Sequence, residues 1–178
     1  MGEVTSPVVD VNTVSNNDNL IHLYSVGHKQ EGEEAAGMPV MGIEVPFKHT
    51  LQIIGTEGKT VNVSALFDGA AMVAAMCWSV FKRLKHTIGK WKTSRRRLCM
   101  ADGNIVPSKA VWQGRMRLGD IEVDGEFEVF DSKGGWEFLL GKPLLRLFRT
   151  KQDFLTDTVA ICRNHGSNTT ILHNESSQ

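Results

Sequence analysis

The chain carries no net charge. Its 178 residues hold 20 basic and 20 acidic side chains, so no whole-chain field draws it to nucleic acid or to an acidic surface. No apolar run approaches the roughly 20 residues that a bilayer-spanning helix needs. The start, Met1-Gly2-Glu3-Val4-Thr5, lacks a basic stretch followed by an apolar one. The expectation is therefore no secretory signal and an intracellular, cytoplasmic protein with no membrane partner. Cysteine is scarce and unpaired in pattern: Cys77, Cys99 and Cys162 are odd in number, far apart and free of any Cys-x-x-Cys spacing. That points away from a disulfide framework and from a zinc site, and free thiols suit a reducing compartment. The histidines show no ligand spacing and no Gly-x-Ser-x-Gly occurs, so metal sites and serine hydrolase chemistry are without support. There is no internal repeat.

What is present is an ordinary globular composition, 41% hydrophobic and 22% charged. Residues 1–44 are rich in Asn, Ser, Glu and Gly, with Glu31-Gly32-Glu33-Glu34 and Gly37-Met38-Pro39 reading as linker. The polar stretch from Asn164 onward reads as a tail. The expected division is a disordered segment 1–44, a folded unit 45–163 and a disordered tail 164–178.

Within the folded unit, Leu51–Ile54 and Thr60–Phe67 flank Gly55-Thr56-Glu57-Gly58 as a hairpin. Met72, Val73, Met76, Cys77, Val80, Phe81 and Leu84 recur at helical spacing, which predicts a helix over 72–86 stopped by Gly89. Arg97–Met100 is extended and meets the turn signal Asp102-Gly103. Ala110–Leu118 and Ile121–Phe130 alternate almost without fault around Gly119-Asp120. A two-residue turn there sets Arg117 opposite Glu122, Arg115 opposite Asp124, Leu118 opposite Ile121, Met116 opposite Val123 and Trp112 opposite Phe127. Each such pair contributes ~0.2–1 kcal/mol, and their agreement fixes the register. Trp136–Leu140 reads as a short buried strand, Lys142-Pro143 as a helix start, and Arg149–Phe154 with Thr158–Cys162 as a last strand pair. Strands dominate, so the fold class is mainly β.

Asp68 is the residue on which chemistry would rest. It ends the β-branched run Val61–Phe67 and is followed by Gly69, Ala70 and Ala71. One reading makes it a general acid/base that activates water; the other makes it an N-cap or turn residue at a strand-to-helix junction. The small residues after it either admit close backbone approach or merely allow a tight turn. Met100-Ala101-Asp102-Gly103 is either a mobile hairpin tip over a substrate or a surface turn. Lys82, Arg83, Lys85, Lys90, Lys92, Arg95, Arg96 and Arg97 crowd segment 82–97 with no acidic residue and with Trp91 among them. That segment is either a phosphate-binding patch or a solvated face.

Four blocks in order, Val63–Ala71, Arg97–Gly103, Gly125–Phe130 and Phe138–Leu145, resemble the retropepsin-like aspartic proteases, and most of all the protease segment of fungal gypsy-class LTR retrotransposon polyproteins. The resemblance spans roughly residues 50–160. It implies a homodimer of barrel-like halves acting on a polypeptide substrate without metal or other cofactor, each chain supplying Asp68. It further implies a flap at 98–107, with Met100, Ala101, Asp102 and Gly103 at its tip, and a strand through Leu139, Leu140 and Gly141 supporting the active-site loop. The family pattern is Asp, Thr or Ser, Gly, then Ala or Ser; here it reads Asp68, Gly69, Ala70, Ala71. Gly69 lacks the hydroxyl that knits the two loops of the dimer, so weak activity or a decayed relic is expected. Three functions stay open: an aspartic endopeptidase, a catalytically dead dimerisation or peptide-binding module of the same fold, and, more weakly, a nucleic-acid binder acting through segment 82–97.

Overall fold

A computed structural model describes residues 20–22, 44–163 and 168–177. Most of segment 1–44 lies outside the described residues, as do 164–167. In chain order the elements are β1 (Leu20–His22), β2 (Lys48–Ile54), β3 (Thr60–Asp68), β4 (Ala75–Cys77), α1 (Trp78–Ile88), β5 (Trp91–Lys92), β6 (Arg97–Cys99), β7 (Ile105–Pro107), β8 (Ala110–Leu118), β9 (Ile121–Phe130), β10 (Phe138–Gly141), α2 (Lys142–Leu147), β11 (Lys151–Asp153), β12 (Thr158–Cys162) and β13 (Thr169–His173). The protein is mainly β, as its alternation predicts.

Six strands close a ring in the order β2, β3, β10, β4, β9, β8, with β8 pairing back onto β2. Closure arises because alternate residues of the long strands β2, β3 and β8 are buried and need a common interior. Leu51, Ile53, Val63, Ala65, Trp112, Met116, Leu118, Phe127, Val129 and Phe138 fill that interior almost without exposure. Trp112 stacks on Phe127 with ring centroids 5.1 Å apart, and Phe127 meets Phe138 edge-on at 5.2 Å. The β8–β9 register pairs Arg117 with Glu122, Met116 with Val123 and Trp112 with Phe127, so all five expected cross-strand partners are found. Helix α1 lays Val80, Phe81 and Ile88 against the barrel and ends at Gly89, whose φ of 54° suits a residue without a Cβ.

Three expectations are corrected. The helix begins at Trp78, not near residue 72, because Ala75–Cys77 is a barrel strand between β10 and β9. All three of its residues are buried, and an apolar run buried on both sides has no period that separates strand from helix. The tail is also structured in part: Thr169–His173 pairs along β12 over five residues and buries Leu172. Asn174 then accepts the Lys48 backbone N–H at 3.0 Å and donates to Asp157 at 2.8 Å. Finally, Leu20–His22, inside the expected linker, runs parallel to β6. Strand pairing through the backbone leaves little trace in composition, which is why both strands were hidden among polar residues.

Candidate active site

Asp68 is the last residue of β3, and its Cα partner in the parallel neighbour β10 is Gly141. The chain then turns: the Ala71 N–H donates to the Asp68 carbonyl at 3.2 Å, while the Ala70 N–H donates to Asp68 Oδ1 at 2.9 Å. That second bond fixes the carboxylate against its own loop in an Asx-type turn. From there the loop runs over the end of β10 and returns as β4 on that strand's other side, because β10 lies between β3 and β4. The expected strand-to-helix junction at Asp68 is therefore a strand-to-strand crossover.

The crossover is tight. A Cβ on Gly141 would lie 2.0 Å from the Val73 carbonyl oxygen and 3.0 Å from that of Ala71, so only glycine fits. The Lys142 N–H donates to the Ala71 carbonyl at 2.8 Å, tying the loop to the first turn of α2. Gly69 and Ala70 face solvent, Ala71 is fully buried and Asp68 is half-buried. Among the described residues Ala70 alone donates a hydrogen bond to the Asp68 carboxylate, which leaves its other oxygen for a water or a second group.

Strands β6 and β7 form an antiparallel hairpin whose tip is Met100–Asn104. The Met100 N–H donates to the Asn104 carbonyl at 2.8 Å and Gly103 N–H to the Met100 carbonyl at 3.0 Å. The Asn104 backbone and side-chain amides hydrogen-bond the Asp102 carboxylate, which holds Asp102 below the usual carboxylate range. Ala101, Asp102 and Gly103 are exposed. The root of the hairpin is not free: Leu98 is fully buried in a second apolar cluster with Ala71, Val73, Ala75, Phe130 and Leu139, against which Met100 and Val106 also pack. One cluster thus joins the hairpin, the Asp68 loop and the supporting strand. Leu140 faces the main core instead.

The residues proposed from sequence are accordingly brought together, with Asp68, Gly69, Ala70 and Ala71 on the crossover, Leu139, Leu140 and Gly141 beneath it, and Met100 on the adjoining hairpin. What sequence reasoning missed is how the hairpin is anchored. Arg96, immediately before β6, donates through Nη1 to Glu126 at 2.8 Å and to Glu128 at 2.5 Å. The Glu128 side chain is only 2% exposed and also accepts from Ser108 Oγ at 2.6 Å. Burial pushes Glu126 up, but hydrogen bonds from Arg96 and Gln113 outweigh it and its carboxyl titrates below the usual range. The hydrogen bonds that Arg96 donates to Glu126 and Glu128 raise its own guanidinium. Phe130, an apolar residue on the charged face of β9, was the available signal that this face is covered.

Among the described residues no cluster of three or more His, Cys, Asp or Glu side chains is placed to hold a metal ion, and no helix is long and apolar enough to cross a membrane. The site is a single half-buried carboxylate on a rigid crossover beside a hairpin, in a closed six-stranded barrel.

No family model matches the sequence, and no curated protein matches it. In shape the chain is similar to the crystal structure of the retroviral protease-like domain of Ddi1 from Leishmania major. The overlap covers 75% of this chain and 95% of that one at 12% identity, with a TM-score of 0.49. Likeness at this level is one of outline and decides nothing about chemistry.

Proposed function

We propose that the chain is one half of an aspartic endopeptidase of the retropepsin type, with Asp68 from each of two copies sharing one proton. The observation that carries this reading is the crossover: a half-buried carboxylate at the end of β3, opposite Gly141, on a loop locked over β10. Two carboxylates held close cannot both ionise easily. The ionised one takes a proton from a water, whose oxygen attacks the peptide carbonyl, while the protonated one gives its proton to the carbonyl oxygen. The hairpin 97–107 would close over a polypeptide substrate. A second copy would cover the apolar surface of the terminal sheet, where Phe154 and Leu155 at the β11–β12 turn are 84% and 94% exposed.

A second reading, a catalytically silent module of the same fold, is favoured by Gly69 and Ala70. Both are exposed and neither supplies a hydroxyl to a partner loop. The two separate on one experiment: acid-range cleavage of a peptide library by the wild type and by Asp68→Asn, with sedimentation alongside. Asn keeps an oxygen to accept the Ala70 N–H, so the fold should survive while water activation is lost. Cleavage abolished by Asp68→Asn supports the endopeptidase. Dimers that cleave nothing support the silent module, and a strict monomer at tens of micromolar, where a dimer of ~1 μM affinity would be largely formed, contradicts both.

A further inference from the structure

The strongest feature outside the carboxylate site is a basic and aromatic face built from α1 and the short strand that follows it. The 20 basic and 20 acidic residues cancel overall, yet the fold collects cations of one sign here. Phe81 sits between two indoles: Trp78 stacks on it at 5.9 Å with an interplanar angle of 23°, and Trp91 meets it edge-on at 5.6 Å and 86°. The turn at Gly89 and Lys90, both with positive φ, brings Trp91 back alongside the helix. Lys82 and Lys109 Nζ lie 5.7 and 5.1 Å from the Trp78 ring, and Lys85 Nζ lies 5.9 Å from that of Trp91. These cations come from two separate segments, so the cluster belongs to the fold and not to a local run of sequence. Each cation is attracted by the face of its ring, which fixes it beside a flat apolar surface.

Two properties distinguish this face from an ordinary solvated one. First, its charges are unneutralised: the ion pairs among the described residues involve His49, Lys59, Arg96, Arg115 and Arg117, and none of Lys82, Lys85 or Lys109. Arg96, although part of the same basic run, is spent on Glu126 and Glu128 and does not belong to it. Second, Trp91 remains 41% exposed despite its contact with Phe81. A large indole held from one side by Phe81 and open on another, with the Lys85 ammonium beside it and those of Lys82 and Lys109 over the neighbouring Trp78, offers a stacking plane next to anion-binding charges.

We infer that this face binds single-stranded nucleic acid, with a base stacked on Trp91 and phosphates contacted by Lys82, Lys85 and Lys109. A duplex would offer the phosphates but keep its bases stacked on one another. An acidic protein or an anionic membrane can also take up an indole, but an unpaired strand alone sets a flat π-face and a phosphate side by side along one chain, which is the pairing of indole and ammonium found here. Stacking on an aromatic side chain is tolerant of base identity, and the ammonium contacts are sequence-independent. Binding should therefore show little sequence preference. The inference is independent of catalysis at Asp68 and holds whichever function that site has.

The test is equilibrium binding of the full chain to fluorescein-labelled oligothymidylate on the order of 15 nucleotides long, with inorganic polyphosphate and anionic phospholipid vesicles as separate arms. Three phosphate contacts on a single strand predict that affinity falls about 20-fold between roughly 50 and 200 mM salt. Trp91→Leu should weaken binding about fivefold or more, and Lys82→Gln, Lys85→Gln and Lys109→Gln combined should remove most of the salt dependence. Arg146→Gln, on α2 and outside this face, should leave both unchanged. Lys82, Trp91, Lys109 and Arg146 are exposed and Lys85 is half-buried, and a circular dichroism melt matching the wild type shows that the variants fold. Absence of binding at the lowest salt overturns the inference. So does equal binding of polyphosphate or vesicles with no loss in Trp91→Leu, which would leave a face that attracts anions without reading a base.

Discussion

Gly141 and Val73 are in contact so close that the Val73 carbonyl oxygen occupies the place of a side chain Gly141 does not have: a Cβ there would stand 2.0 Å from it. The obstacle is backbone on both sides, so neither partner can swing away. Gly141→Ala should destabilise the protein by about 1–3 kcal/mol, at the upper end for an overpacked site. The readout is a lower urea midpoint at unchanged slope. Gly69→Ala is the control, because a Cβ on Gly69 meets nothing within 4 Å, and its effect should stay within about 0.5 kcal/mol.

Gly69 and Ala70 also bear on activity. Both are exposed on the loop that carries Asp68, and the open space at Gly69 admits a larger side chain. Gly69→Thr with Ala70→Gly should raise peptidase turnover above that of the wild type by supplying the hydroxyl that a partner loop can bond. The check is kcat/KM on one peptide for the two proteins. Efficient cleavage by the wild type, unaltered by the double change, would show that the hydroxyl is dispensable here.

Arg96 holds the approach to the hairpin by neutralising Glu128, whose side chain is 2% exposed. Arg96→Ala leaves that carboxylate buried with Ser108 as its remaining side-chain partner. A loss of about 2 kcal/mol is expected, below the 3–5 kcal/mol of a fully buried pair because the guanidinium is partly solvated. Adding Glu128→Gln should return part of it in a double-mutant cycle. The pH dependence has a definite sign. Glu126 titrates lower in the folded protein than in the unfolded chain, so its contribution is present above the ordinary glutamate range near pH 4–5 and is lost as the pH falls below it. Unfolding midpoints measured from pH 7 down to 3 should therefore drop for the wild type, and less steeply for Arg96→Ala.

The terminal strand supplies a further prediction. Ending the chain after Arg163 removes the five residue pairs between Thr158–Cys162 and Thr169–His173, together with the Lys48–Asn174 and Thr50–Glu175 hydrogen bonds. Leu172, 3% exposed, alone accounts for about 1.5–3 kcal/mol of burial. The truncated chain should melt well below the full one in a thermal scan. Equal stability would mean that this strand contributes nothing to the barrel it leans on.

The hairpin of β8 and β9 is the part most plainly written in the sequence. Alternation on both strands and a two-residue turn leave one register, and Arg117 opposite Glu122 follows from it. Asp68 by its own residues left a turn residue as open as a catalytic one, and its link to Leu139-Leu140-Gly141 came only from the resemblance; the structure sets Gly141 opposite it. The start of α1 was not legible: Met72, Val73 and Met76 extend the helical stripe backward by coincidence of spacing, while burial on both sides makes Ala75–Cys77 a strand. Nor could the run Arg95-Arg96-Arg97 reveal that its middle member turns inward to Glu126 and Glu128, since like charges in a row carry no sign of which one has a distant partner.

The placement of β10 between β3 and β4 sets an order of events on the ribosome. Asp68 and Gly141, aligned in space, are about 70 residues apart along the chain, so both strands flanking β10 are synthesised well before the strand that separates them. Contacts of such long range close slowly. A nascent chain ending before Phe138 has the carboxylate and its loop but nothing beneath them, and the crossover is completed only when residues through Lys142 have emerged. Whatever Asp68 does, it cannot begin to do it before Gly141 has joined it across β3 and β10 and Lys142 has bonded its loop.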